Sequence, residues 1–332
     1  MKAIVIDRIG GPEVFEMREV ETPKLKPGHL LVKVKATSVN PIDTKLRKLA
    51  LRFSPAFPAI LHGDFSGVVS EVASDVKGFK VGDKVYGCGG GVQGTEGGAL
   101  AEYLLVDAAL TSPMPLNLSF EQAAAIPLVA ITSWEALVDK LQIHAGATLL
   151  VHAGVGGVGH FAAQLGRYFG AVVHTTVSNE TDAKTSGEHG SHFPINYKTT
   201  SVQEYVDKHT LGRGFDFVFD TVGGPNLALS AEAARLNGSI ACIATGGSHD
   251  LTTMYFKGIS LHSVIMLIPM ITGENRPHFG EILFQVKKMV EQGAIKPLLH
   301  AEIFDWKDIA KAHALQESGK QRGKIVVRIN QD

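Results

Sequence analysis

"TLLVHAGVGGVGHFAAQLGRYFGAVVHTTVS", Thr148 to Ser178, is the stretch on which the reading of this chain turns. An apolar strand, 148–153, runs into a glycine-rich turn. A helix with an apolar face is expected over 157–169, and a second strand, 172–177, closes the unit. Gly154, Gly156 and Gly159 form G-x-G-x-x-G, with Gly157 extra and Val158 beside it. Alone the pattern is weak. A preceding strand and a following helix are the two conditions that make it a dinucleotide-binding loop. Gly154 permits the tight turn, Gly156 lets backbone approach a pyrophosphate, and Gly159 lets helix and strand pack closely. Unpaired N–H groups at the helix start then face the phosphates. The bland alternative, a tight turn without a ligand, is disfavoured by the strands that follow in order.

Such a unit usually ends in an acidic residue that holds the ribose 2′-hydroxyl. Here Ser178 occupies that end. A carboxylate would repel a 2′-phosphate, whereas a hydroxyl can donate to it, so the expected cofactor is NADPH rather than NADH. Glu180 competes for the acidic role if the strand runs longer. Lys184 and Tyr197 are the candidates expected to approach a 2′-phosphate; Lys184 reads equally well as an ordinary exposed helix residue.

Outward from this unit, strands and helices alternate. Strands are expected at 193–197, 215–222, 239–244 and 260–266, with helices near 182–189, 202–209 and 226–236. Six strands with helical crossovers imply a doubly wound parallel sheet. Thr245, just past the fifth strand, joins the candidate cofactor contacts. The stretch from Met1 to about Gln122 reads as mainly β, with turns set by Gly, Pro and Asp. "CGGGVQGTEGG", Cys88 to Gly98, reads as a mobile surface loop. Residues after the sixth strand give a helix at 278–292, a strand near 300–304, a helix at 306–318 and "GKIVVRI". They are too few for a core of their own, so the tail is expected to return and complete the N-terminal domain.

The chain has 332 residues and a formal net charge of -1, which leaves no electrostatic footprint for nucleic acid or an anionic membrane. Its two cysteines, Cys88 and Cys242, make no disulfide framework, and a reducing cytoplasm is the simpler setting. The apolar run after Met1 is too short for a signal-peptide core. "ISLHSVIMLIPMI", Ile259 to Ile271, falls short of a bilayer span and is read as a buried strand plus a pocket-lining segment.

Together these residues resemble the medium-chain dehydrogenase/reductase superfamily, most closely its zinc-independent NADPH:quinone oxidoreductase group, which includes zeta-crystallin-like proteins. The resemblance is carried by the opening through "SVNPIDTKLR", by "FPAILHGDFSGVV", "GFKVGDKVYG", "AIPLVAITSWEAL" and "HAGVGGVGHFAAQLGR", and by "FDFVFDTVGG" and "SGKQRGKIVVRI". It implies a Rossmann sheet over 123–266, inserted in a mainly-β GroES-like catalytic domain formed by 1–122 plus 267–332. Asn40 would lie beside the nicotinamide and the substrate carbonyl, Thr132 would contact the cofactor, and Ser178, Tyr197 and Arg322 would form the 2′-phosphate pocket. A basic residue expected early in the helix after Ser178 is replaced by Asp182. A tyrosine carried by some relatives is also absent, where Leu51, Arg52 and Phe53 stand.

Zinc relatives need a Cys near Asn40–Asp43, a Gly-His-Glu stretch and another Cys before the glycine loop. Pro41 and Ile42 occupy the first region and 125–129 holds no Cys. His62 and Asp64 could mark a metal pair, but a turn residue and a buried, hydrogen-bonded Asp explain them better, and no metal is expected. Hydride transfer then suits quinones and α,β-unsaturated carbonyls, whose developing charge spreads into a conjugated enolate. Asn40 is the catalytic candidate, with a turn-capping Asn as the competing role. Phe53, Leu128 and residues 254–269 would wall an apolar pocket. The last strand, if at the sheet edge, needs covering, and pairing with its twin in a homodimer is the family's solution. An enoyl-thioester or alcohol reductase, and an NADPH-binding structural or sensor protein with little turnover, remain open.

Overall fold

The computed structural model describes residues 1–330 and divides into two compact units. One comprises Val129–Met266 and Ala294–Leu298; the other comprises Met1–Leu128, Leu267–Gly293 and the segment from Leu299 onward.

In the first of these, six strands form one sheet: β1 (Thr148–Val151), β2 (Val172–Val177), β3 (Phe193–Asn196), β4 (Phe215–Asp220), β5 (Ala234–Cys242) and β6 (Ser260–Ser263). Their order is β3-β2-β1-β4-β5-β6, with every neighbouring pair parallel. That is the doubly wound Rossmann order, with its switch point between β1 and β4. The helices are α1 (Pro127–Trp134), which starts two residues before this unit, α2 (Gly157–Tyr168), α3 (Glu180–Glu188), α4 (Val202–Thr210), α5 (Asn226–Ala233) and α6 (Thr252–Lys257). Leu149, Leu150, Val151, Val218 and Phe219 are fully buried in the sheet, as near-continuous apolar runs require when both faces are covered. Helix α2 buries Phe161, Ala162, Leu165 and Gly166. A Cβ on Gly166 would come within 2.6 Å of Leu149 Cδ2, so any side chain here would require Leu149 to shift.

Three expectations need correction. The last strand is only four residues long and half-exposed at the sheet edge, rather than a buried run to Met266. Helix α5 stops at Ala233 and β5 begins at once, with a register shift opposite Phe215–Phe217 and Asn237 in the left-handed region at φ 54°. Cys88–Val92 is buried rather than a surface loop. Glycines in and after it accept backbone contact: a Cβ on Gly98 would sit 2.1 Å from the Leu61 carbonyl oxygen, and Gly91 adopts φ 77° against the His62 backbone.

The other unit is mainly β. Its larger sheet runs Leu299–Asp305, Lys324–Arg328, His29–Val39, Asp64–Val72, Lys84–Cys88 and Thr111–Pro113, with Tyr103–Asp107 also paired to His29–Val39. The C-terminal strand Lys324–Arg328 pairs antiparallel with the end of His29–Val39, so the tail completes this sheet. That return brings Lys324 next to Asn40 in space. Among the described residues no helix is long and apolar enough to cross a membrane.

Candidate active site

The glycine turn has the geometry a pyrophosphate requires. Ala153 leaves β1 at φ 54°, and its N–H donates to Thr176 Oγ1 at 3.0 Å while the Gly154 N–H donates to the Thr176 carbonyl at 2.9 Å. A Cβ on Gly154 would lie 2.6 Å from both Thr175 Cβ and Ser186 Oγ; one on Gly159 would lie 2.1 Å from the Ala153 carbonyl oxygen. Both positions therefore exclude a side chain. Gly156 is the N-cap of α2 and supplies no side-chain cap, so the first-turn N–H groups, including those of the half-buried Gly157 and Val158, have no side chain standing in for an anion. These residues fit a dinucleotide pyrophosphate. Thr132 is buried in α1, and the Thr245 hydroxyl lies 2.8 Å from that of Ser263 beyond the end of β5.

At the end of β2 the Ser178 hydroxyl donates to Asp182 Oδ2 at 2.7 Å. Asn179, the N-cap of α3, accepts the Asp182 N–H at 2.9 Å and donates its amide to Ser178 Oγ at 3.0 Å and Asp182 Oδ2 at 2.7 Å. Tyr197 is adjacent: its N–H donates to the Val177 carbonyl at 3.1 Å, and its residue is 55% exposed. Lys184 is exposed, but two positions beyond Asp182 it faces the other side of α3. Glu180 is exposed in the first turn. Arg322 is exposed and belongs to the mainly-β unit.

In that unit Asn40 is only 1% exposed, and neighbours engage both ends of its amide. Its Nδ2 donates to Asp64 Oδ2 at 2.9 Å, and Lys324 Nζ donates to its Oδ1. Its backbone N–H donates to Asp43 Oδ2 at 2.7 Å, which starts the helix Pro41–Lys48. Asp64 also accepts from Ser38 Oγ at 2.6 Å and, through Oδ1, from the Leu128 N–H at 2.8 Å in the first turn of α1; Lys324 Nζ stands 3.4 Å from its Oδ2. Burial raises the Asp43 carboxyl to about 7; the Asp64 charge adds to this, while the Asn40 N–H and the Lys324 charge oppose it. Lys324 and Asp64 as partners of Asn40 were not legible beforehand. The available signal was a lysine opening the apolar strand "KIVVR".

Behind this cluster His62 and His313 meet Nε2 to Nε2 at 2.9 Å, both fully buried. Thr37 Oγ1 gives its proton to the Asp64 carbonyl at 2.6 Å, so it accepts from His62 Nδ1–H at 3.2 Å. His62 Nε2 is then the acceptor and His313 Nε2–H the donor, which makes the His62 ring neutral. Burial, with Lys324 nearby, lowers the His62 imidazole to about 3; burial, the adjoining His62 ring and the Arg47 charge hold His313 well below its ordinary value. His62 is thus a turn residue at φ 76° facing another imidazole, and Asp64 is a buried, hydrogen-bonded Asp. Among the described residues no group of three or more His, Cys, Asp and Glu is arranged to hold a metal ion.

Comparison with known proteins agrees with this architecture. An alcohol dehydrogenase GroES-like domain matches residues 26–116, and a zinc-binding dehydrogenase domain matches residues 189–327. A zinc-type alcohol dehydrogenase-like protein of Staphylococcus epidermidis is 31% identical over 95% of both chains. The chain belongs to the medium-chain dehydrogenase/reductase superfamily, within its quinone oxidoreductase group. A second relative of this superfamily member, the 2-methylene-furan-3-one reductase of Solanum lycopersicum, is 31% identical over 98% of this chain and 79% of its own. Among solved structures, an alcohol dehydrogenase superfamily protein from Novosphingobium aromaticivorans superposes with TM-score 0.94 at 36% identity, covering 99% of this chain and 100% of its own. The quinone oxidoreductase of Escherichia coli, complexed with NADPH, gives 0.87 at 26% identity, and an NAD-dependent alcohol dehydrogenase gives 0.88 at 29%; each match covers 99% of this chain and 100% of the other. The superfamily member described here is an oxidoreductase acting on a small molecule with a nicotinamide dinucleotide.

Proposed function

We propose that this chain is an NADPH-dependent, zinc-independent reductase of quinones or α,β-unsaturated carbonyl compounds. The observation that carries the reading is the bare glycine turn at the head of α2, with Gly154 and Gly159 too tightly enclosed for any side chain. The relatives named for quinone and enone reduction support the acceptor class. NADPH is supported by Ser178, rather than a carboxylate residue, at the end of β2, with Tyr197 exposed beside it. The absence of the cysteine ligands from the 40–43 and 125–129 regions supports zinc independence.

The nicotinamide, when bound, supplies the hydride. The glycine turn and the first N–H groups of α2 hold the pyrophosphate. Asn40 is the polar candidate for the substrate oxygen: Lys324 on Oδ1 and Asp64 on Nδ2 fix the amide's orientation, leaving the second Nδ2–H as its donor. The acceptor's conjugation carries the charge that zinc would otherwise stabilise.

A specific observation favours a second reading, a dinucleotide-binding protein with little turnover: Asn40 is almost completely buried and its amide is engaged at both ends. NADPH oxidation against a panel of quinones and enones, with wild type and Asn40→Ala, separates the two. Turnover that falls in the variant while NADPH binding persists supports catalysis; no acceleration by any acceptor supports the binder.

The assembly proposed is a homodimer paired through β6. That strand is an exposed edge, and nearby Tyr255 and Phe256 are 80% and 76% exposed. Light scattering on the eluted protein should give twice the 35.5 kDa chain mass.

A further inference from the structure

We infer that a basic concavity on the paired strands His29–Val39 and Lys324–Arg328 is a second ligand site, which takes the phosphate of a small phosphate monoester with an apolar body. It lies within the mainly-β unit and uses none of the residues assigned to the dinucleotide.

The cavity holds about 420 Å³, and its walls include Lys33, Lys35, Phe120, Glu121, Arg328 and Ile329. Every residue of His29–Val39 is buried except His29, Lys33 and Lys35, which are half-buried. Positions two apart share one face of a strand. The register against Asp64–Val72 shifts here: Val34 pairs with Gly67 and Ala36 with Ser66, so Lys35 is the extra residue of a bulge. Bulges of this kind re-aim a side chain beside a site. Gly67 permits the close strand approach, since a Cβ there would lie 2.3 Å from the Lys33 carbonyl oxygen.

Arg328 joins the two lysines from the neighbouring strand, where it pairs with Ala36. Its Nε donates to Glu121 Oε1 at 2.8 Å, so the acid in the wall is already matched and four guanidinium N–H groups remain. Asp305, opposite Arg328 in register, is occupied as well: it caps the Lys307 N–H at 2.9 Å and accepts from Asn330 Nδ2. Among the described residues neither Lys33 nor Lys35 has a carboxylate partner. Lys84 Nζ, 5.5 Å from the centre of the Phe120 ring, adds a fourth cation against the aromatic wall. The base of that wall is fixed by Ser66 Oγ, which donates to the Phe120 carbonyl at 2.6 Å.

Partly desolvated cations set side by side repel one another, and the fold places no counter-charge on the two lysines. Snorkelling accounts for their half-buried stems, but not for three cations lining one concavity. A dianion balances the charges of Lys33 and Lys35, and the remaining Arg328 donors suit paired phosphate oxygens. Phe120 and Ile329 offer an apolar body a surface to lie on. A nucleic-acid track would need a longer basic stripe than this, on a chain whose net charge is -1.

The test is calorimetric titration with phenyl phosphate, and separately with benzoate as an aromatic monoanion. Wild type is expected to bind phenyl phosphate saturably and at least about tenfold more tightly than benzoate. Lys33→Gln/Lys35→Gln is expected to lower phenyl phosphate affinity about tenfold or more. Lys77→Gln/Lys208→Gln removes the same charge from exposed positions elsewhere and should change it less than about threefold. Lys33→Arg/Lys35→Arg keeps the charge and should bind as wild type does. Thermal melts show whether each variant is folded. Arg328→Gln, which leaves Glu121 in the wall without its partner, gives an independent second variant with the same expected loss. No saturable phenyl phosphate binding, equal affinity for benzoate, or affinity unchanged in Lys33→Gln/Lys35→Gln would overturn the inference. None of these outcomes bears on the nicotinamide reading, whose glycine turn lies in the other unit.

Discussion

Acidification should expose the neutral His62–His313 pair. In the unfolded chain a histidine takes up its proton near pH 6.5. In the folded chain burial keeps His62 neutral down to about pH 3. Between these values the unfolded state binds the extra proton, so stability is complete above about pH 6.5 and declines as pH falls toward 3. At pH 5 the gap is about 1.5 pKa units at about 1.4 kcal/mol each, or about 2 kcal/mol from His62 alone. His313, shifted in the same direction by burial, by the adjoining His62 ring and by the Arg47 charge, adds to the loss. The perturbation is His62→Asn, because His62 sits at φ 76° and asparagine tolerates that region. Urea unfolding of both proteins at pH 7.5 and 5.0 gives the two differences. Wild type should lose about 2 kcal/mol or more beyond what the variant loses over that interval. Equal losses would show that His62 titrates normally, and the neutral, directional pair deduced from Thr37 would be wrong.

Asp43→Asn should change the pH profile with the opposite sign. The folded chain keeps the Asp43 proton to about pH 7, well above the ordinary 3.8, so wild-type stability falls as pH rises through that window; relative to wild type the variant should gain about 1.4 kcal/mol per pH unit there, read by urea unfolding. Lys324→Met strands a buried carboxylate and should cost about 3–5 kcal/mol in the same assay, most of it recovered in Asp64→Asn/Lys324→Met. Gly159→Ala forces a Cβ within 2.1 Å of a backbone oxygen, and should cost about 1–3 kcal/mol while weakening NADPH binding measured by fluorescence.

The Rossmann sheet was readable because its evidence is local: glycines at fixed offsets, apolar runs of strand length, and helices between them. Its irregularities were not. Ala234–Leu236 extends a helical pattern in sequence, yet these residues open β5, which turns at Asn237 and shifts register against β4. The glycines of Cys88–Gly98 carry no periodicity and read as solvent-facing, while in the fold several serve close contact with the backbone of Leu61 and His62. Asn40 was legible as a polar residue before a proline, but its partners were not. Lys324 lies 284 positions away and reaches it only because the last strand pairs with His29–Val39.

The central claim is hydride delivery from a nicotinamide to a conjugated acceptor. It is tested most directly by single turnover of [4-²H]NADPH, labelled on the transferring face, against an α,β-unsaturated ketone, with mass spectrometry of the product. The account predicts one deuterium on the β-carbon, appearing as the cofactor is oxidised. A reduced product without the label, or no cofactor oxidation with any enone or quinone, would contradict it.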